Sequence, residues 1–315
     1  MVIYTELHGE KLASTLLAFG TYFYNFETGD TMRTIEEIKN KIICGDSLEI
    51  LKDIPSKSVD LVVTSPPYNL KNSTGNGMSY NTKSGKWAGN ALQKGYSHYN
   101  DNMPHNEYAD WQHNTLKELF RVLKDDGAIF YNHKWRVQDG LLQDRQDIIR
   151  DLPVRQIIIW KRKGGINFNP GYFLPTYEVI YLIAKKDFRL APKANAFGDV
   201  WEFTQEMKNE HPAPFPVALI DRIITSTKAE IILDPFMGSG TTALSALKNK
   251  RSFIGIELSP EYCDMAEKRI APFMPIEETA APVRPAKKKA VVKKITTKAK
   301  TKGKAKAKTK SLKFA

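Results

Sequence analysis

The chain has 315 residues, of which 42% are apolar, and this is enough for one large domain or two small ones with a buried core. No apolar run approaches the roughly 18 residues that span a bilayer, and the first residues do not resemble a signal peptide. Two cysteines, Cys44 and Cys263, are too few for a disulfide framework or a zinc site. These features predict a globular protein inside the cell, without a membrane anchor.

The formal net charge of +12 is concentrated at one end of the chain. Residues 279–315 hold 14 of the 47 lysines and arginines and no acidic residue, which leaves 33 basic residues against 35 acidic ones elsewhere. The body is therefore close to neutral. Because the tail lacks the apolar periodicity of a packed element, we predict that it is disordered and makes non-specific contacts with phosphate groups.

Residues 1–40 include an apolar, aromatic stretch that is either a helix packed on the body or a poorly ordered extension. The next residues predict a strand, a helix and a strand, over Lys41–Asp46, Ser47–Asp53 and Ser58–Val63. Short apolar strands that alternate with helices are typical of an α/β fold with a mostly parallel central sheet. Ligands bind beyond the carboxyl ends of such strands, which is where Asp46 lies.

The second strand stops at Ser65-Pro66-Pro67-Tyr68. Proline has no backbone N–H, and a residue that precedes proline is restricted to extended conformations. We therefore expect the carbonyl groups of Ser65 and Pro66 to face a cleft as acceptors, beside a small hydroxyl and an aromatic ring. Such a corner suits a flat group that carries an NH2, although two prolines after a strand also form ordinary turns.

Residues 71–105 form a long polar segment that is either a solvated loop or a functional one, with cations and aromatic rings suited to nucleic acid. Five of the six histidines, at positions 98, 105, 113, 133 and 211, show no paired ligand spacing, so no metal site is predicted. Apolar spacing predicts further elements: a helix Glu107–Leu123 that stops at Gly127, strands Ala128–Asn132, Pro153–Trp160 and Tyr177–Ala184, and a helix Val217–Ser226.

A glycine-rich turn, Pro235–Gly240, joins a strand ending at Asp234 to a helix starting at Thr241. Gly238 and Gly240 allow a sharp turn and close approach of a ligand to the backbone. The next strand ends at Glu257, whose carboxylate can accept hydrogen bonds from two ribose hydroxyls. The unit predicts nucleoside binding; the alternative is an ordinary tight turn followed by a surface glutamate.

Two motifs carry a family resemblance. Asp234-Pro-Phe-Met-Gly-Ser-Gly240 resembles the S-adenosylmethionine loop of DNA amino-methyltransferases, and Thr64-Ser-Pro-Pro-Tyr68 resembles their catalytic motif. The catalytic motif precedes the cofactor motif, as in the permuted β group of that family. The resemblance covers about residues 41–271 and implies the Rossmann-like fold of S-adenosylmethionine-dependent methyltransferases.

The resemblance also implies a division of the chain into segments. We predict an N-terminal extension over residues 1–40, a methyltransferase domain over 41–275 and the disordered tail over 279–315. Within the domain, 71–105 is predicted to face DNA and 185–210 to be a short target-recognition segment.

The implied reaction is transfer of a methyl group from S-adenosyl-L-methionine to the exocyclic amino group of a base flipped out of double-stranded DNA. Ser65 and the Pro66 carbonyl would hold the amino nitrogen, Pro67 completes the motif, and Tyr68 would stack on the base. By resemblance, the cofactor loop around the methionine part is formed by Asp234, Phe236, Gly238 and Gly240, with Glu257 at the ribose and Asp46 near the adenine. No metal is needed.

The methylated base is left open by the residues themselves. Ser65 favours cytosine N4 by resemblance, whereas a hydroxyl can serve adenine N6 equally well. Methylation at cytosine carbon 5 is rejected because neither Cys44 nor Cys263 follows a proline or lies at the catalytic corner. The other hypotheses are a non-catalytic nucleic-acid-binding protein dominated by its tail and an enzyme that methylates RNA or protein amides. A homodimer and a partner restriction nuclease are compatible with the resemblance.

Overall fold

The structure is a computed structural model that describes residues 32–69, 102–138, 140–163, 170–204 and 215–275. Three segments singled out in the sequence lie wholly or largely outside these residues: the N-terminal stretch up to residue 31, the polar segment up to residue 101 and the Lys-rich tail. Of the predicted target-recognition segment, residues 185–204 are described.

The strands of the described residues are β1 (Lys41–Cys44), β2 (Val59–Thr64), β3 (Leu123–His133), β4 (Arg136–Gln138), β5 (Leu141–Gln143), β6 (Val154–Lys161), β7 (Tyr177–Ala184), β8 (Val200–Glu202), β9 (Ile231–Asp234) and β10 (Ser252–Glu257). Eight of them form one sheet in the order β1-β10-β9-β2-β3-β7-β6-β8, and β4 and β5 form a separate hairpin. Neighbours in the large sheet run parallel except at β7, which is antiparallel to β3 and to β6. This mostly parallel central sheet confirms the predicted fold class.

The helices are α1 (Ile35–Ile38), α2 (Ser47–Asp53), α3 (His105–Val122), α4 (Gln146–Ile149), α5 (Val217–Thr225), α6 (Thr241–Lys248) and α7 (Pro260–Ile270). Buried side chains of α2, α3 and α4 pack on one face of the sheet, and those of α5, α6 and α7 pack on the other. Adjacent residues of β2 serve opposite layers: Val62 belongs to the first core and Val63 to the second. Covering both faces explains why the strands are apolar runs without polar alternation.

Two helices start directly after strands that reach the ligand-facing edge, and side chains cap both. Asp46 Oδ1 accepts hydrogen bonds from the backbone N–H groups of Leu48 (2.9 Å) and Glu49 (3.1 Å) at the start of α2. Ser259 Oγ accepts from the N–H of Tyr262 at the start of α7, which has proline at its first position. These caps fix the points at which the chain turns away from the sheet.

The predicted stop of the helix over Glu107–Leu123 at Gly127 is wrong. Helix α3 ends at Val122, and the chain enters β3 at once because Leu123 already pairs with Val59 of β2. Gly127 lies inside this strand, where a Cβ would come within 2.9 Å of the Asp60 carbonyl oxygen. The glycine is therefore explained by close approach of two strands, and not by a helix end.

Candidate active site

The two motifs meet at the carboxyl edge of the sheet because their strands are neighbours. Strand β2, which leads into Ser65, pairs in parallel with β9, which ends at Asp234. The hydroxyl of Thr64 donates to Asp234 Oδ1 over 2.8 Å. A hydrogen bond between buried side chains thus joins the proline corner to the glycine loop, although 170 residues separate them in sequence.

Asp234 is buried at the base of the glycine loop, with a relative exposure of 2%. Besides Thr64, its carboxylate accepts from Thr242 Oγ1 at 2.6 Å and from the N–H of Phe236 at 3.1 Å. Burial raises the pKa of Asp234 to about 6, and the three donors oppose that shift without cancelling it. Asp234 therefore organises the loop through its hydrogen bonds, but its buried charge lowers the free energy of unfolding when the carboxyl is ionised.

This cost predicts a pH dependence. Well below pH 3.8 the Asp234 carboxyl is protonated whether the chain is folded or not, and burial carries no charge penalty. As pH rises, the unfolded chain ionises near 3.8 and the folded one only near 6, so the contribution of Asp234 to the free energy of unfolding falls across this window. At about 1.36 kcal/mol per pKa unit, the loss is roughly 3 kcal/mol.

Urea unfolding of the wild type and of Asp234→Asn at a series of pH values measures this loss, because the amide does not titrate. The free energy of unfolding of the wild type minus that of the variant should decrease from pH 4 to pH 7. A difference that is constant or that increases with pH would contradict the assignment.

The glycine loop is held against the end of the neighbouring strand β10. Glu257 Oε2 accepts from the Gly238 N–H (2.8 Å), and Oε1 accepts from the Ser259 N–H (2.9 Å). Gly238 and Gly240 have φ values of +53° and +79°, as the sharp turn requires. On the other side of β10, the Gly45 N–H donates to the Glu257 carbonyl, which brings Asp46 to the same edge.

The residues at this edge fit S-adenosylmethionine by their chemistry. Glu257 is an oriented carboxylate at a strand end, as a ribose diol requires. Phe236 presents a half-buried ring, which contacts the Trp111 ring edge to face at a centroid distance of 5.6 Å. The Ser47 hydroxyl donates to the Pro235 carbonyl and ties α2 to the loop. Trp111, Ser47 and Thr242 carry no motif of their own, so sequence reasoning missed them.

At the proline corner, the hydroxyls of Ser65 and Tyr68 lie 2.5 Å apart. Tyr68 Oη also donates to Glu178 Oε2 (3.1 Å), on strand β7. Asn132, on β3, directs Nδ2 to Tyr68 Oη and to Glu178 Oε2, at 2.7 Å each. Arg162 forms an ion pair with the other Glu178 oxygen at 3.2 Å. The corner is therefore backed by a buried polar network of five side chains.

The Tyr68 ring itself is 7% exposed and packs against His133 with centroids 5.1 Å apart. Burial, followed by the charge of Arg145, lowers the pKa of His133 well below its ordinary value, so the ring is neutral. The Tyr108 hydroxyl, 2.7 Å from His133 Nε2, lies 2.9 Å from the Pro67 carbonyl oxygen. The corner is thus held from beneath by α3 and β3, and Pro66 is buried whereas Ser65 and Pro67 are partly exposed.

Comparison with known proteins decides the family. A family model described as DNA methylase, for N6 and N4 methyltransferases, matches residues 59–268. This chain belongs to the N6/N4 DNA methylase family. Among its relatives is the Type II methyltransferase M.BglII of Bacillus subtilis, 33% identical over 269 residues that cover 72% of this chain and 68% of the relative. The DNA adenine methyltransferase YhdJ of Escherichia coli is 28% identical over 267 residues, covering 73% and 82%.

Solved structures agree with the fold of this methylase. A Thermus thermophilus protein assigned as a DNA modification methylase, in complex with S-adenosyl-L-methionine, is 25% identical, covers 75% of this chain and 95% of its own, and gives a TM-score of 0.55. The cytosine-N4-specific PvuII DNA methyltransferase shares the fold at 19% identity and a TM-score of 0.55, over 74% of this chain and 90% of its own. The protein is an S-adenosylmethionine-dependent DNA amino-methyltransferase; its place in the permuted β group stays a prediction.

Further features of the described part of the methylase concern metal sites, membrane spans and the two cysteines. There, no three His, Cys, Asp or Glu side chains are grouped to hold a metal ion, and no helix has the length and apolar character of a membrane span. Both cysteines are free thiols: Cys44 ends β1, and Cys263 is buried on α7, where burial raises the pKa of its thiol. Neither belongs to the polar network at the proline corner.

Proposed function

We propose that this methylase transfers a methyl group to the N4 amino group of cytosine in double-stranded DNA, with the base flipped into the corner Ser65–Tyr68. S-adenosylmethionine supplies the methyl group. The observation that carries the proposal is the hydrogen bond from Thr64 to Asp234, because it fixes the base-holding corner beside the cofactor loop at adjacent strand ends. Ser65 at the first motif position favours cytosine over adenine by resemblance.

On the base side, Ser65 Oγ and the Pro66 carbonyl accept hydrogen bonds from the target amino group. These bonds favour a pyramidal nitrogen with an available lone pair and stabilise the positive charge that develops on it. Tyr68 is proposed to contact the flipped base. Since its ring is packed on His133, that contact uses the ring edge near Ser65 or requires the ring to rotate.

On the cofactor side, each proposed residue has a defined structural position. Glu257, whose carboxylate accepts from two backbone N–H groups, is proposed to bind the ribose, and Asp46, which caps α2, is proposed to lie near the adenine. Asp234 holds the loop from within, through its bonds to two threonines. The residues proposed to surround the cofactor are Asp46, Asp234, Phe236, Gly238, Gly240 and Glu257.

Product analysis tests the proposal. Purified protein is incubated with duplex DNA and radiolabelled S-adenosylmethionine, and the DNA is digested to nucleosides and separated by mass. We expect label in N4-methyldeoxycytidine. Label in N6-methyldeoxyadenosine would replace cytosine by adenine as the substrate, and label in 5-methyldeoxycytidine, or none in DNA, would contradict the amino-transfer assignment.

We further propose that residues 279–315 strengthen binding to DNA without contributing to the choice of site. Contacts between lysines and phosphates release counterions, so the logarithm of the binding constant falls with the logarithm of salt concentration, by about 0.9 for each phosphate neutralised. Deleting residues 279–315 should make this slope shallower and weaken non-specific binding, while methylation of the specific site persists. Loss of site preference on deletion would contradict this role. A homodimer and a partner nuclease stay predictions.

A further inference from the structure

We propose that Glu178 is a positioning residue that forces the Ser65 hydroxyl to act as a hydrogen-bond acceptor toward the substrate, and that this selects bases carrying an amino group over bases carrying a carbonyl. The inference deepens the proposed function and rests on it. Its basis is the direction of each hydrogen bond in the network behind the proline corner.

The network starts at a buried charge. The Glu178 side chain is 7% exposed, and Arg162, 14% exposed, pairs with its Oε1 at 3.2 Å. A paired guanidinium compensates the ionised carboxylate. An ionised carboxylate can only accept hydrogen bonds. Every group that faces Oε2 must therefore donate to it.

Among the described residues, two groups face Oε2, and both follow this rule. Asn132 turns its NH2 group toward the carboxylate, at 2.7 Å, which leaves its second N–H for Tyr68 Oη, also at 2.7 Å. Tyr68 gives its single hydroxyl proton to Oε2 over 3.1 Å. The phenol oxygen can then only accept from its remaining neighbours.

Ser65 is the next neighbour. Its Oγ lies 2.5 Å from Tyr68 Oη, and because the phenol proton is directed to Glu178, the Ser65 hydroxyl is the donor in this bond. Its single proton thus points into the protein, and its oxygen, which Asn132 Nδ2 approaches only to 3.5 Å, is left to accept from the substrate. Ser65 by itself is chemically ambiguous; the buried carboxylate behind Tyr68 removes the ambiguity.

The consequence concerns the class of base. A serine oxygen that can only accept matches the N–H groups of cytosine N4 or adenine N6, and it repels the carbonyl oxygen that uracil, thymine or guanine presents at the equivalent position. Positive charge develops on the amino nitrogen during the reaction. The aligned O–H groups of Ser65 and Tyr68 let the negative charge of Glu178 contribute to stabilising it.

The test compares variants of the full chain. In Glu178→Gln, Arg162 keeps the amide oxygen, which turns the amide NH2 toward Tyr68 and Asn132. Asn132 must then flip so that its Oδ1 accepts from the new NH2 group at position 178. The Tyr68 proton is no longer committed to position 178 and can be given to Ser65 Oγ, so the Ser65 hydroxyl is no longer fixed as the donor and can present its proton to the amino group. We expect kcat to fall about 10²- to 10³-fold, in the range of a lost transition-state acceptor, while the Kd for S-adenosylmethionine stays unchanged.

A second change should restore the direction. Asn132→Asp combined with Glu178→Gln moves the carboxylate from β7 to β3, where it again faces Tyr68 Oη. We expect the double variant to recover at least about tenfold of the lost kcat. If Glu178→Gln lowered kcat only by damaging the structure, a second change in the same buried network would lower kcat further and would not restore it.

Base preference gives a readout that does not depend on turnover. Duplexes that carry cytosine or uracil at the methylated position, or adenine or hypoxanthine if adenine is the target, are titrated in the presence of S-adenosylhomocysteine. The wild type should bind the amino base more tightly, and Glu178→Gln should shift the preference toward the carbonyl base. An unchanged preference would overturn the inference.

Glu118→Gln is the matched control, because Glu118 also pairs with an arginine, Arg121, but on the outer helix α3; it should behave as the wild type.

If Glu178→Gln does not fold, Tyr68→Phe breaks the same chain of hydrogen bonds at its middle link and should lower kcat with cofactor affinity retained. Wild-type kcat in either folded variant overturns the inference alone. A wild type that methylates no amino group overturns the proposed function and the inference with it.

Discussion

Replacing Ser65 by alanine is expected to lower kcat for methyl transfer about 10²- to 10³-fold, the typical loss when one preorganised hydrogen-bonding partner of a transition state is removed. Ser65 is partly exposed at the end of β2, and its hydroxyl is the outermost member of the buried network. The substitution removes one oxygen and leaves the two prolines in place. The Kd for S-adenosylmethionine should be unchanged, because the cofactor loop is connected through Thr64.

The matched control is Ser58→Ala. The Ser58 hydroxyl lies just before the opposite end of the same strand and donates to the Pro55 carbonyl at 2.6 Å, away from the corner. This variant should keep wild-type turnover. Its free energy of unfolding should fall only by part of the contribution of one local hydrogen bond. Single-turnover kinetics with a saturating duplex separate the chemical step from DNA binding. Wild-type turnover by Ser65→Ala would remove Ser65 from the proposed site.

Gly240→Ala is expected to lower both the free energy of unfolding and the affinity for S-adenosylmethionine. Gly240 has φ +79°, and a Cβ at this position would come 2.8 Å from Ala266 Cβ on α7. The left-handed conformation costs a non-glycine residue roughly 1–2 kcal/mol, and overpacking adds about 1–3 kcal/mol. Relief requires the loop to move off α7, which displaces Gly238 from Glu257.

Gly140→Ala separates the two causes. Gly140 has the same φ of +79°, in the turn between β4 and β5, and an added Cβ meets nothing within 4 Å there. Its loss of stability should be the backbone penalty alone, with cofactor affinity intact. Urea unfolding and calorimetric titration of S-adenosylmethionine measure both quantities for both variants. Equal losses in the two variants would show that packing against α7 does not constrain the loop.

Much of the site was visible in the sequence because it lies where regular elements end. Local sequence signals mark the ends of these strands: the prolines at 66 and 67, the glycine turn before Thr241 and the acidic residue Glu257. Neighbouring parallel strands bring such positions to one edge of the sheet. The same logic placed Asp46, although its visible contacts are those of a helix cap. The roles of these residues in catalysis stay predictions.

Glu178 and Asn132 were missed because their meaning depends on how strands are ordered in the sheet. Each interrupts an apolar strand with a polar side chain, and a charged residue in a buried strand is a signal that sequence reasoning can use. What no pattern supplied is the partner: β3 and β7 are adjacent only in the folded sheet. The helix end at Val122 was misplaced for a related reason, since pairing of Leu123 with β2 overrides the local preference of Asp125, Asp126 and Gly127.

Strand β1 has β10 as its neighbour in the described sheet, and the register joins Lys41 to Ile254 and Cys44 to Glu257. A ribosome therefore makes β1 early and its partner more than 200 residues later. Until then the edge of β1 stays unpaired, whereas β2, β3, β6 and β7 can already assemble. Such distant pairing slows folding. If translation stops before β10, the chain contains the corner Ser65–Tyr68 but lacks the strand that completes the edge proposed to bind the methyl donor. Its unpaired strands are then exposed and prone to aggregation.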